Sequence, residues 1–529
     1  MHEGKPPIVI LRIAAALQSV LFGLWPLLLI YTITLGDYTP EQMLEPAGLI
    51  AAVNLALWVL LSFIYKNVAR AAALVSILSL STFLYLPLSD ALKDGAKLLS
   101  VSLADEAVLS IYLLMVFILL FAAHTREFRW RGRTMSVDFQ AMVLPAAAIA
   151  FLLCAVNLFT IASFEAKENA IVQNLLKNQF AAERHISINA DTQKPDVYYL
   201  IVDGFANQST LKDILDYNDE SFLNFLRSRG FYVGSHSCSN HDRTIFSVTS
   251  SLNLRLMTPL KEVLGPDSVD SYVPLKLLRE NCVMKLFKEA GYRIVNVCSG
   301  FCPTDYIPQA DLNMRSGWGT GFNMSLLHLT LIGAFEPYLH LVENEYANVR
   351  LAPSRRAAEI ANLAGPKFVL IHCLLTHPPF IFDRQGRPMP LSRQLLAAPY
   401  RKGPYLEQLR FTEKRVELLV DAICSQDKNA LVIVQSDHGS ACTDWHDEKA
   451  FTLERMRILN AYRLPAPMQS HLTESITPVN SFRLILRELF KADFPPLKDE
   501  SYIAIPPERQ YRFTNVTEML QASWRNRIK

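Results

Sequence analysis

Five long apolar stretches before residue 165 constrain this chain more than any other feature, because they contain almost no charged residues. Each can supply the roughly 20 residues that a helix needs to cross a bilayer. A chain with this pattern does not fold as a single soluble globule. We therefore predict an α-helical transmembrane domain of about five helices over residues 1–163. The five stretches cover residues 8–35, 44–65, 69–88, 107–123 and 139–162.

The loops between these stretches differ in charge, and the difference predicts an orientation. Lys66 and Arg70 lie between the second and third stretches, and 126–133 contains four arginines. The loops at 36–45 and 89–106 are mainly acidic. Basic loops stay in the cytoplasm. With an odd number of spans, everything after the fifth stretch then lies outside the cytoplasm, so we expect a multi-pass membrane protein with an extracytoplasmic domain.

Several other functions fit the sequence less well. The first stretch is too long for a signal peptide, and Trp25-Pro26 is followed by more apolar residues, which favours an uncleaved anchor. Transporters usually place ionisable groups inside the membrane, and these stretches have almost none. A lipid-facing groove between the helices stays open as an alternative to simple anchoring. A net charge of +2 without a basic run argues against nucleic acid as a partner.

From Asp196 onward, short apolar runs alternate with amphipathic segments. This alternation predicts an α/β domain with a mostly parallel sheet and helices on both faces. We expect a juxtamembrane linker at 164–194, a catalytic domain at 195–490 and a C-terminal extension at 491–529. The predicted strands are 196–203, 231–233, 292–297, 368–375 and 430–435, and the predicted helices are 221–229, 244–254, 283–290 and 405–425.

Seven of the eight cysteines lie in the outer half of the chain. An oxidising compartment allows disulfides, and Cys298 and Cys302 can close a small loop. An odd number leaves at least one thiol unpaired, and the sequence does not determine the pairing. The spacings do not form the paired motifs of a zinc cluster.

Polar side chains at the ends of predicted strands and at one predicted helix start suggest a single site. Asp203 closes the first strand of the α/β domain, Thr244 opens a helix, His377 follows another strand, and Asp437 and His438 follow the last. Open α/β sheets bind ligands at the carboxyl ends of their strands. Asp and His are good ligands for divalent metals, and metal coordination makes a threonine hydroxyl usable as a nucleophile. A helix N-terminus beside it favours a phosphate or sulfate ester.

Each of these residues also has a purely structural interpretation. Asp203 can be a turn former, Thr244 a helix cap with Ser239 as the rival nucleophile, and His377 a loop histidine. Asn240 and Arg243 precede the nucleophile and are candidates for contacting phosphate oxygens, since arginine suits bidentate phosphate binding.

Four motifs carry a resemblance to a known group of enzymes: Val202-Asp203-Gly204, Arg243-Thr244-Ile-Phe-Ser247, Thr376-His377-Pro378 and Ser436-Asp437-His438-Gly439. With them the chain resembles the alkaline phosphatase superfamily, which includes the sulfatases. Within it, the chain is similar to membrane-anchored bacterial lipoteichoic acid synthases, phosphoethanolamine transferases and phosphoglycerol transferases. The resemblance covers roughly residues 195–490.

The resemblance implies roles for the named residues. Asp203, Thr244, Asp437 and His438 would bind one divalent metal ion (Mn, Zn, Mg or Ca), and a second metal site stays open. Thr244 would be the nucleophile. His377 would contact the substrate, assist the leaving group or help to hold a second metal.

The resemblance also implies the activity: transfer of a phosphoethanolamine or phosphoglycerol group. The donor would be a membrane lipid or lipid-linked molecule, and the acceptor a cell-envelope glycan or lipid. The lipid-linked transferases usually have Glu where this chain has Asp203, so hydrolysis to water by a phosphodiesterase, phosphatase or sulfatase is the alternative. A formylglycine sulfatase does not fit, because Cys238 lacks the proline of the Cys-x-Pro-Ser-Arg motif. A catalytically inactive, membrane-tethered relative is the third possibility.

Overall fold

The computed structural model of the chain describes residues 7–98, 100–125, 127–130, 133–178, 193–319, 321–389, 401–505 and 509–525. The chain divides into two compact units. The first contains Met1–Asn169 together with Gly321–Val342, and the second contains Ala170–Thr320 together with Glu343–Lys529.

The first unit consists of apolar helices close to the positions that the sequence predicts. Among the described residues, four helices are long and apolar enough to cross a membrane, and a bent pair at 68–83 and 85–98, with an angle of 63°, adds a fifth if it is one span. The predicted apolar helical region is therefore confirmed. The helices are α1 (Ile8–Ile33), α2 (Pro40–Tyr65), α3 (Val68–Phe83), α4 (Tyr85–Leu98), α5 (Asp105–Thr125) and α6 (Phe139–Asn178), and strands β1 (Glu127–Trp130) and β2 (Arg133–Ser136) pair between α5 and α6.

Polar residues fix where two of these helices begin. Thr39 caps α2, and its backbone N–H donates to Oε1 of Gln42 at 3.0 Å, which completes a capping box. Asn67 caps α3 by accepting hydrogen bonds from the backbone N–H groups of Ala69 and Arg70. Short loops of polar residues between apolar runs thus set the breaks between the candidate spans.

Buried apolar residues of this unit form two separate layers. One layer joins the start of α1, the start of α3, the end of α5 and the start of α6, with Leu11, Ala69, Ala123 and Phe139 among its members. The other joins the end of α1 and the start of α2 with the later part of α6, as in Leu27, Met43 and Ile161. Successive helices therefore run in alternating directions.

Helix α3 begins in the first layer and runs alongside α5, away from that layer. At its start, Nε of Arg70 donates to the carbonyl of Ala123 at 3.0 Å. Near its end, the hydroxyl of Tyr112 donates to the carbonyl of Ser81 at 2.7 Å. Tyr112 lies about 11 residues before Ala123, and a helix rises 1.5 Å per residue, so α3 lies alongside a length of α5 of roughly 16 Å. Both ends of α3 thus lie beside well-separated parts of its neighbour.

The second unit is built on a seven-stranded sheet. The strand order is β4-β9-β8-β3-β7-β5-β6, with β3 near the middle. Strands β3, β5, β6, β7 and β8 pair in parallel, and β9 is antiparallel to both of its neighbours. The predicted mostly parallel sheet is confirmed. The strands are β3 (Val197–Val202), β4 (Tyr232–Val233), β5 (Arg293–Val297), β6 (Leu312–Met314), β7 (Lys367–Cys373), β8 (Leu431–Gln435) and β9 (Asn460–Arg463), and a separate pair is β10 (Tyr502–Ile503) with β11 (Thr514–Asn515).

Both faces of the sheet are buried, because alternate residues of each central strand enter different cores. Tyr199 and Ile201 of β3 belong to one apolar cluster, and Tyr198, Leu200 and Val202 belong to another. Continuous burial of this kind is typical of parallel strands covered by helices on both sides. It explains why the strands read in the sequence as uninterrupted apolar runs.

Helices fill both faces of this sheet, and the four predicted ones are present with shifted ends. A helix at 402–426 and one at 478–490 pack on opposite faces. The helices after β3 are α7 (Gln208–Asp213), α8 (Glu220–Ser228), α9 (Thr244–Asn253), α10 (Leu260–Leu264), α11 (Tyr272–Arg279), α12 (Cys282–Glu289), α13 (Cys302–Asp305), α14 (Gly321–Leu329), α15 (Glu336–Leu339), α16 (Leu341–Arg355), α17 (Ala357–Asn362), α18 (Lys402–Gln426), α19 (Glu448–Met456), α20 (Ala466–Gln469), α21 (Pro478–Phe490) and α22 (Thr517–Arg525).

The segment Gly321–Val342 differs from the predicted domain plan. The sequence places it inside the catalytic domain, but the structure groups it with the apolar helices of the first unit. The ring of Phe322 meets Tyr31 and Tyr38 edge-on, and the hydroxyls of Tyr38 and Ser325 are 2.8 Å apart. Aromatic burial and a hydroxyl pair thus hold the segment to α1 and to the turn after it.

The cysteines of the described residues form no disulfide bond. The expected loop closure between Cys298 and Cys302 is therefore not formed. Cys302 instead begins α13, where its carbonyl accepts a hydrogen bond from Nη2 of Arg279 at 3.0 Å.

The predicted juxtamembrane linker covers residues 164–194. Helix α6 continues into this segment as far as Asn178. Residues 179–192 lie outside the described part of the chain.

A buried ion pair ties the starts of β3 and β7 together and gives a stability test. Nζ of Lys367 bonds Oδ2 of Asp196 and donates to the carbonyl of Leu363 at 2.7 Å, and the lysine side chain is 2% exposed. Removing one member of a buried pair leaves a charge without its partner. We expect Lys367→Met to lower the free energy of unfolding by about 3 kcal/mol.

The double variant Lys367→Met/Asp196→Asn is the matched control, because it removes both charges. Chemical denaturation of the full chain, followed by tryptophan fluorescence, should show it recovering at least half of that loss. Strictly additive losses would contradict a direct coupling between these two residues.

Candidate active site

The sheet topology brings the polar strand ends together. Strand β3 lies between β7 and β8, and all three run in parallel. Their carboxyl ends carry Asp203, the turn that leads to His377, and the pair Asp437-His438. This is the edge at which open α/β sheets bind ligands. Residues far apart in the sequence thus meet in one place.

The hydroxyl of Thr244 lies at the centre of this group. Thr244 is the first residue of α9, and its Oγ1 donates to Oδ2 of Asp437 at 2.6 Å. The same oxygen is 3.5 Å from Oδ2 of Asp203 and 3.3 Å from Nε2 of His438. The structure therefore brings together all four residues of the predicted metal-and-nucleophile set, each of them buried.

The donor set fits a divalent cation. Asp203, His372 and Asp437 each offer one ligand atom, and these three atoms lie within 4.8 Å of one another. Oδ1 of Asp203 is buried and has no hydrogen-bond partner among the described residues. Such an atom is costly to bury unless a ligand satisfies it. Carboxylate oxygens with imidazole nitrogen suit zinc and manganese better than calcium.

The two site histidines are oriented by hydrogen bonds to their other ring nitrogen. Nδ1 of His438 lies 3.0 Å from the carbonyl of Gly439, and Nδ1 of His372 lies 2.6 Å from Oγ1 of Thr304. A carbonyl can only accept, so Nδ1 of His438 carries the proton and Nε2 presents its lone pair to the site. Metal-binding histidines are commonly oriented in this way.

His372 is a member of the site that the sequence reasoning missed. It lies in the middle of β7, in a run that otherwise reads as core, and it is 1% exposed. Its Nε2 is 3.2 Å from Oδ2 of Asp203. The available signal was a lone polar residue inside the apolar run 368–375, on the strand next to the one that ends at Asp203.

The imidazoles around Asp203 favour its ionised form. Burial alone raises the pKa of this carboxyl, but the imidazoles of His377, His372 and His438 outweigh burial, and the pKa falls below its usual range. A carboxylate that stays ionised in a buried position is a suitable metal ligand. It also supplies negative charge that a cation would balance.

A buried arginine holds the loop of His377. Nη1 of Arg350 donates to the carbonyls of His377 at 2.9 Å and Pro379 at 2.6 Å, and Nη2 donates to the carbonyl of Pro378 at 3.0 Å. Burial lowers the pKa of Arg350 to about 10, so it remains charged. Burial, and then the charge of Arg350, lower the pKa of His377. At neutral pH this favours an uncharged imidazole.

A cavity of about 270 Å³ opens over the site. Asp203, Thr244, His377 and His438 line it, and so does Arg243. The predicted positions of His377 and Arg243 beside the nucleophile are therefore compatible with contact to a substrate, and both roles remain proposals. The cavity is lined further by Arg455, whose guanidinium donates to the carbonyls of Asp242 at 2.7 Å and Gly439 at 3.2 Å.

Other predicted residues have structural partners instead. The side chain of Asn240 donates to the carbonyl of Glu500 at 2.8 Å and accepts from the N–H of Val479 at 2.8 Å, and it does not line the cavity. Oγ of Ser239 lies 2.5 Å from each of the carbonyl oxygens of His241 and Asp437, and its one proton can be donated to either of them. Ser239 is therefore committed to the backbone, which weakens its case as the rival nucleophile.

His446 and His471, the two histidines after His438 in the sequence, lie elsewhere. His446 pairs with Asp444, and His471 lies 3.7 Å from Glu488. Neither lines the catalytic cavity.

The turn after His438 has no room for a side chain at Gly439. A Cβ there would lie 2.0 Å from the carbonyl oxygen of Glu454 and 2.8 Å from that of Arg457. The carboxylate of Glu454 in turn accepts from Oγ of Ser440 and from the N–H of Cys442, each at 2.6 Å. The end of α19 thus holds the turn after His438 from behind.

A family comparison matches this region. The family model described as Sulfatase matches residues 212–463, which include Thr244, His372, Asp437 and His438. The chain carries a sulfatase-family domain. The predicted membership of the alkaline phosphatase superfamily is confirmed. A comparison with curated proteins finds no match.

Several solved structures resemble the chain at low identity. The C-terminal periplasmic domain of EcEptC from Escherichia coli is 16% identical, covering 61% of this chain and 94% of its own, with a TM-score of 0.39. Lipooligosaccharide phosphoethanolamine transferase A from Neisseria meningitidis is 13% identical, with coverages of 91% and 95% and a TM-score of 0.36. BT1596, a 2-O GAG sulfatase, is 11% identical, with coverages of 61% and 76% and a TM-score of 0.37.

The packing behind Gly439 gives a direct test of the sulfatase-family site. Gly439→Ala forces the turn away from the carbonyl of Glu454 and displaces His438. Misplacing a catalytic group by about 1 Å can cost around 100-fold in rate. We expect a loss of that order in the hydrolysis of a chromogenic phosphodiester.

Gly403→Ala is the matched control, because a Cβ at residue 403, in the first turn of α18, meets nothing within 4 Å. It should keep full activity. Equal activity of the two variants, with unfolding temperatures also equal, would show that the turn does not depend on Gly439.

Proposed function

We propose that the sulfatase-family domain transfers a phosphate-ester group, of the phosphoethanolamine or phosphoglycerol type, from a membrane lipid or lipid-linked donor to a hydroxyl of a cell-envelope glycan or lipid. The observation that carries the proposal is the contact of 2.6 Å between Oγ1 of Thr244 and Oδ2 of Asp437, at the N-terminus of α9 and beside Asp203 and His438. This arrangement serves a nucleophile that attacks an anionic ester.

Asp203, Asp437 and His438, with His372, are the residues that would hold a divalent cation. When bound, the cation lowers the pKa of the threonine hydroxyl and offsets the negative charge of the ester. Thr244 itself would then be a ligand as well as the nucleophile. Among Mn, Zn, Mg and Ca, the carboxylate oxygens and imidazole nitrogens of this donor set favour Zn or Mn.

The residues of the chain supply the remaining steps. Asp437 orients the hydroxyl of Thr244 and accepts its hydrogen bond. Oγ1 attacks phosphorus, the bond from phosphorus to the donor alcohol breaks, and the proton from Thr244 ends on the departing alcohol. The exposed N–H groups at the start of α9 face the ester and favour its negative charge. Arg243, at the helix cap, is placed to bind a phosphate oxygen.

The second half of the reaction regenerates the free hydroxyl of Thr244. An acceptor hydroxyl attacks phosphorus, the bond from phosphorus to Oγ1 breaks, and the proton of the acceptor ends on Thr244. His377 suits this half, because its low pKa keeps the imidazole neutral and able to accept a hydrogen bond from the attacking hydroxyl. Arg350 holds His377 in place for this role.

We also propose that the domain works on the periplasmic side of a bacterial inner membrane. Tyr65, Val68, Ala123 and Phe139, which flank the two basic loops, belong to one apolar layer of the helical unit, and Tyr38 and Phe322 belong to the other. The helix ends that flank the basic loops thus share one side, as the charge rule requires of a cytoplasmic face. Five spans would then place the α/β unit opposite to them.

Hydrolysis to water is the second candidate, and Asp203 favours it. Enzymes that transfer lipid-linked groups usually have Glu at this position, whereas Asp is commoner in phosphatases and phosphodiesterases. Analysis of the products with and without a candidate acceptor separates transfer from hydrolysis.

The nucleophile gives the decisive test of the proposal. Thr244→Ala removes the atom that attacks phosphorus, so turnover of a chromogenic phosphodiester should fall by roughly a thousand-fold or more. The fold should be retained, since the variant removes only a small polar group. Mass spectrometry of the wild-type protein incubated with phosphatidylethanolamine or phosphatidylglycerol vesicles should find a phospho-adduct on the peptide that contains Thr244.

Ser239→Ala is the control for the rival nucleophile and should still form that adduct. An adduct on Ser239, or undiminished turnover in Thr244→Ala, would contradict the proposed mechanism.

A further inference from the structure

A second cavity adjoins the catalytic one within the α/β unit. Its volume is about 510 Å³, within the roughly 300–1,000 Å³ of small-molecule sites. Arg243, Ala441, Cys442 and Arg455 line both cavities. The second cavity therefore opens beside the residue that precedes the nucleophile. A molecule bound there would lie beside Arg243, the residue before Thr244.

An aromatic ring forms one wall of this second cavity. Trp445 lines it, and the imidazole of His446 stacks on the indole with ring centroids 3.7 Å apart. His446 does not line the cavity, so it supports the indole from the side away from it. A supported, flat apolar surface is suited to pack against another flat apolar surface.

A buried carboxylate lies in the same cavity. Asp242 lines it and is 5% exposed, and its Oδ1 has no hydrogen-bond partner among the described residues. Leaving such an oxygen without a partner costs about 1–3 kcal/mol. The carbonyl of Asp242 accepts from Nε of Arg455 at 2.7 Å, which fixes the backbone of this residue. Oδ1 of Asp242 is thus a hydrogen-bond acceptor in a fixed position.

The charges of the cavity wall balance. Arg243 and Arg455 contribute two positive charges, and Asp242 and Asp444 can contribute two negative ones. A wall of this kind attracts neither anions nor cations strongly. It offers many hydrogen-bond donors and acceptors together with one apolar ring. The molecule that matches it is neutral, carries several hydroxyls and has an apolar face.

We propose that the second cavity binds a neutral saccharide as the acceptor, with its C–H face on Trp445 and a hydroxyl donating to Asp242. This inference rests on the proposed function and adds the chemical class of the acceptor and the place where it binds. A sugar hydroxyl attacks phosphorus in the ester of Thr244, the bond from phosphorus to Oγ1 breaks, and the hydroxyl proton ends on Oγ1. The product is a saccharide phosphodiester.

Binding is measured first, in the full-length Thr244→Ala protein so that no turnover occurs. The protein is kept in an amine-oxide detergent, because a detergent with a sugar head group would compete. Titration calorimetry with cellotetraose and maltotetraose should detect binding of at least one of them. Adding Trp445→Ala should weaken that binding at least ten-fold, and adding Asp242→Asn should weaken it several-fold.

Trp318→Ala is the matched control, because Trp318 is 45% exposed and lines neither cavity. It should bind the saccharide as tightly as the parent. Loss of binding in Trp318→Ala and Trp445→Ala alike, or binding by neither tetrasaccharide, would overturn the inference.

Product partition is measured second, in the protein with Thr244 intact. With bis(p-nitrophenyl) phosphate as donor, the bound tetrasaccharide should convert part of the product from free p-nitrophenyl phosphate to a saccharide phosphodiester. Trp445→Ala should return the product ratio toward hydrolysis. A ratio unaffected by Trp445→Ala would overturn the saccharide site alone, whereas absence of any Thr244-dependent turnover would overturn the proposed function and leave the binding result standing.

Discussion

The buried carboxylate of Asp203 is the constraint on which the rest of the site depends. It ends the strand at the middle of the sheet, and three imidazoles surround it. One of its oxygens has no hydrogen-bond partner among the described residues. An ionised group in such a position is unfavourable unless positive charge balances it. The fold therefore holds a buried cluster of Asp203, His372 and Asp437 that could bind a metal ion, and the hydroxyl of Thr244 lies beside it.

The surrounding structure holds this site through backbone contacts more than through contacts between side chains. Arg350 binds three successive carbonyls of the His377 loop, and Arg455 and Glu454 hold the turn that contains Gly439. Arrangements of this kind fix the positions of catalytic groups before the substrate binds, which lowers the cost of reaching the transition state. Arg455 lines the second cavity as well as the first, so it would border both the donor and the acceptor.

Much of this could be predicted from the sequence, because the signals are local. Apolar runs predicted the strands, and strand ends predicted Asp203 and Asp437. His372 was missed because a histidine inside an apolar strand reads as core until its neighbour strand is known. Asn240 was predicted to contact substrate, yet its amide bonds the distant Glu500, a contact that no local pattern records. The segment Gly321–Val342 was assigned to the wrong unit for the same reason: its apolar partners lie in α1 and α2.

Anomalous diffraction from crystals of the full-length protein loaded with zinc or manganese tests the central claim most directly. The account predicts a peak within roughly 2.0–2.3 Å of carboxylate oxygens of Asp203 and Asp437 and of at least one imidazole nitrogen. Oγ1 of Thr244 should face the same ion. A peak away from Asp203, or a threonine side chain turned out of the site in the metal-bound protein, would contradict the account.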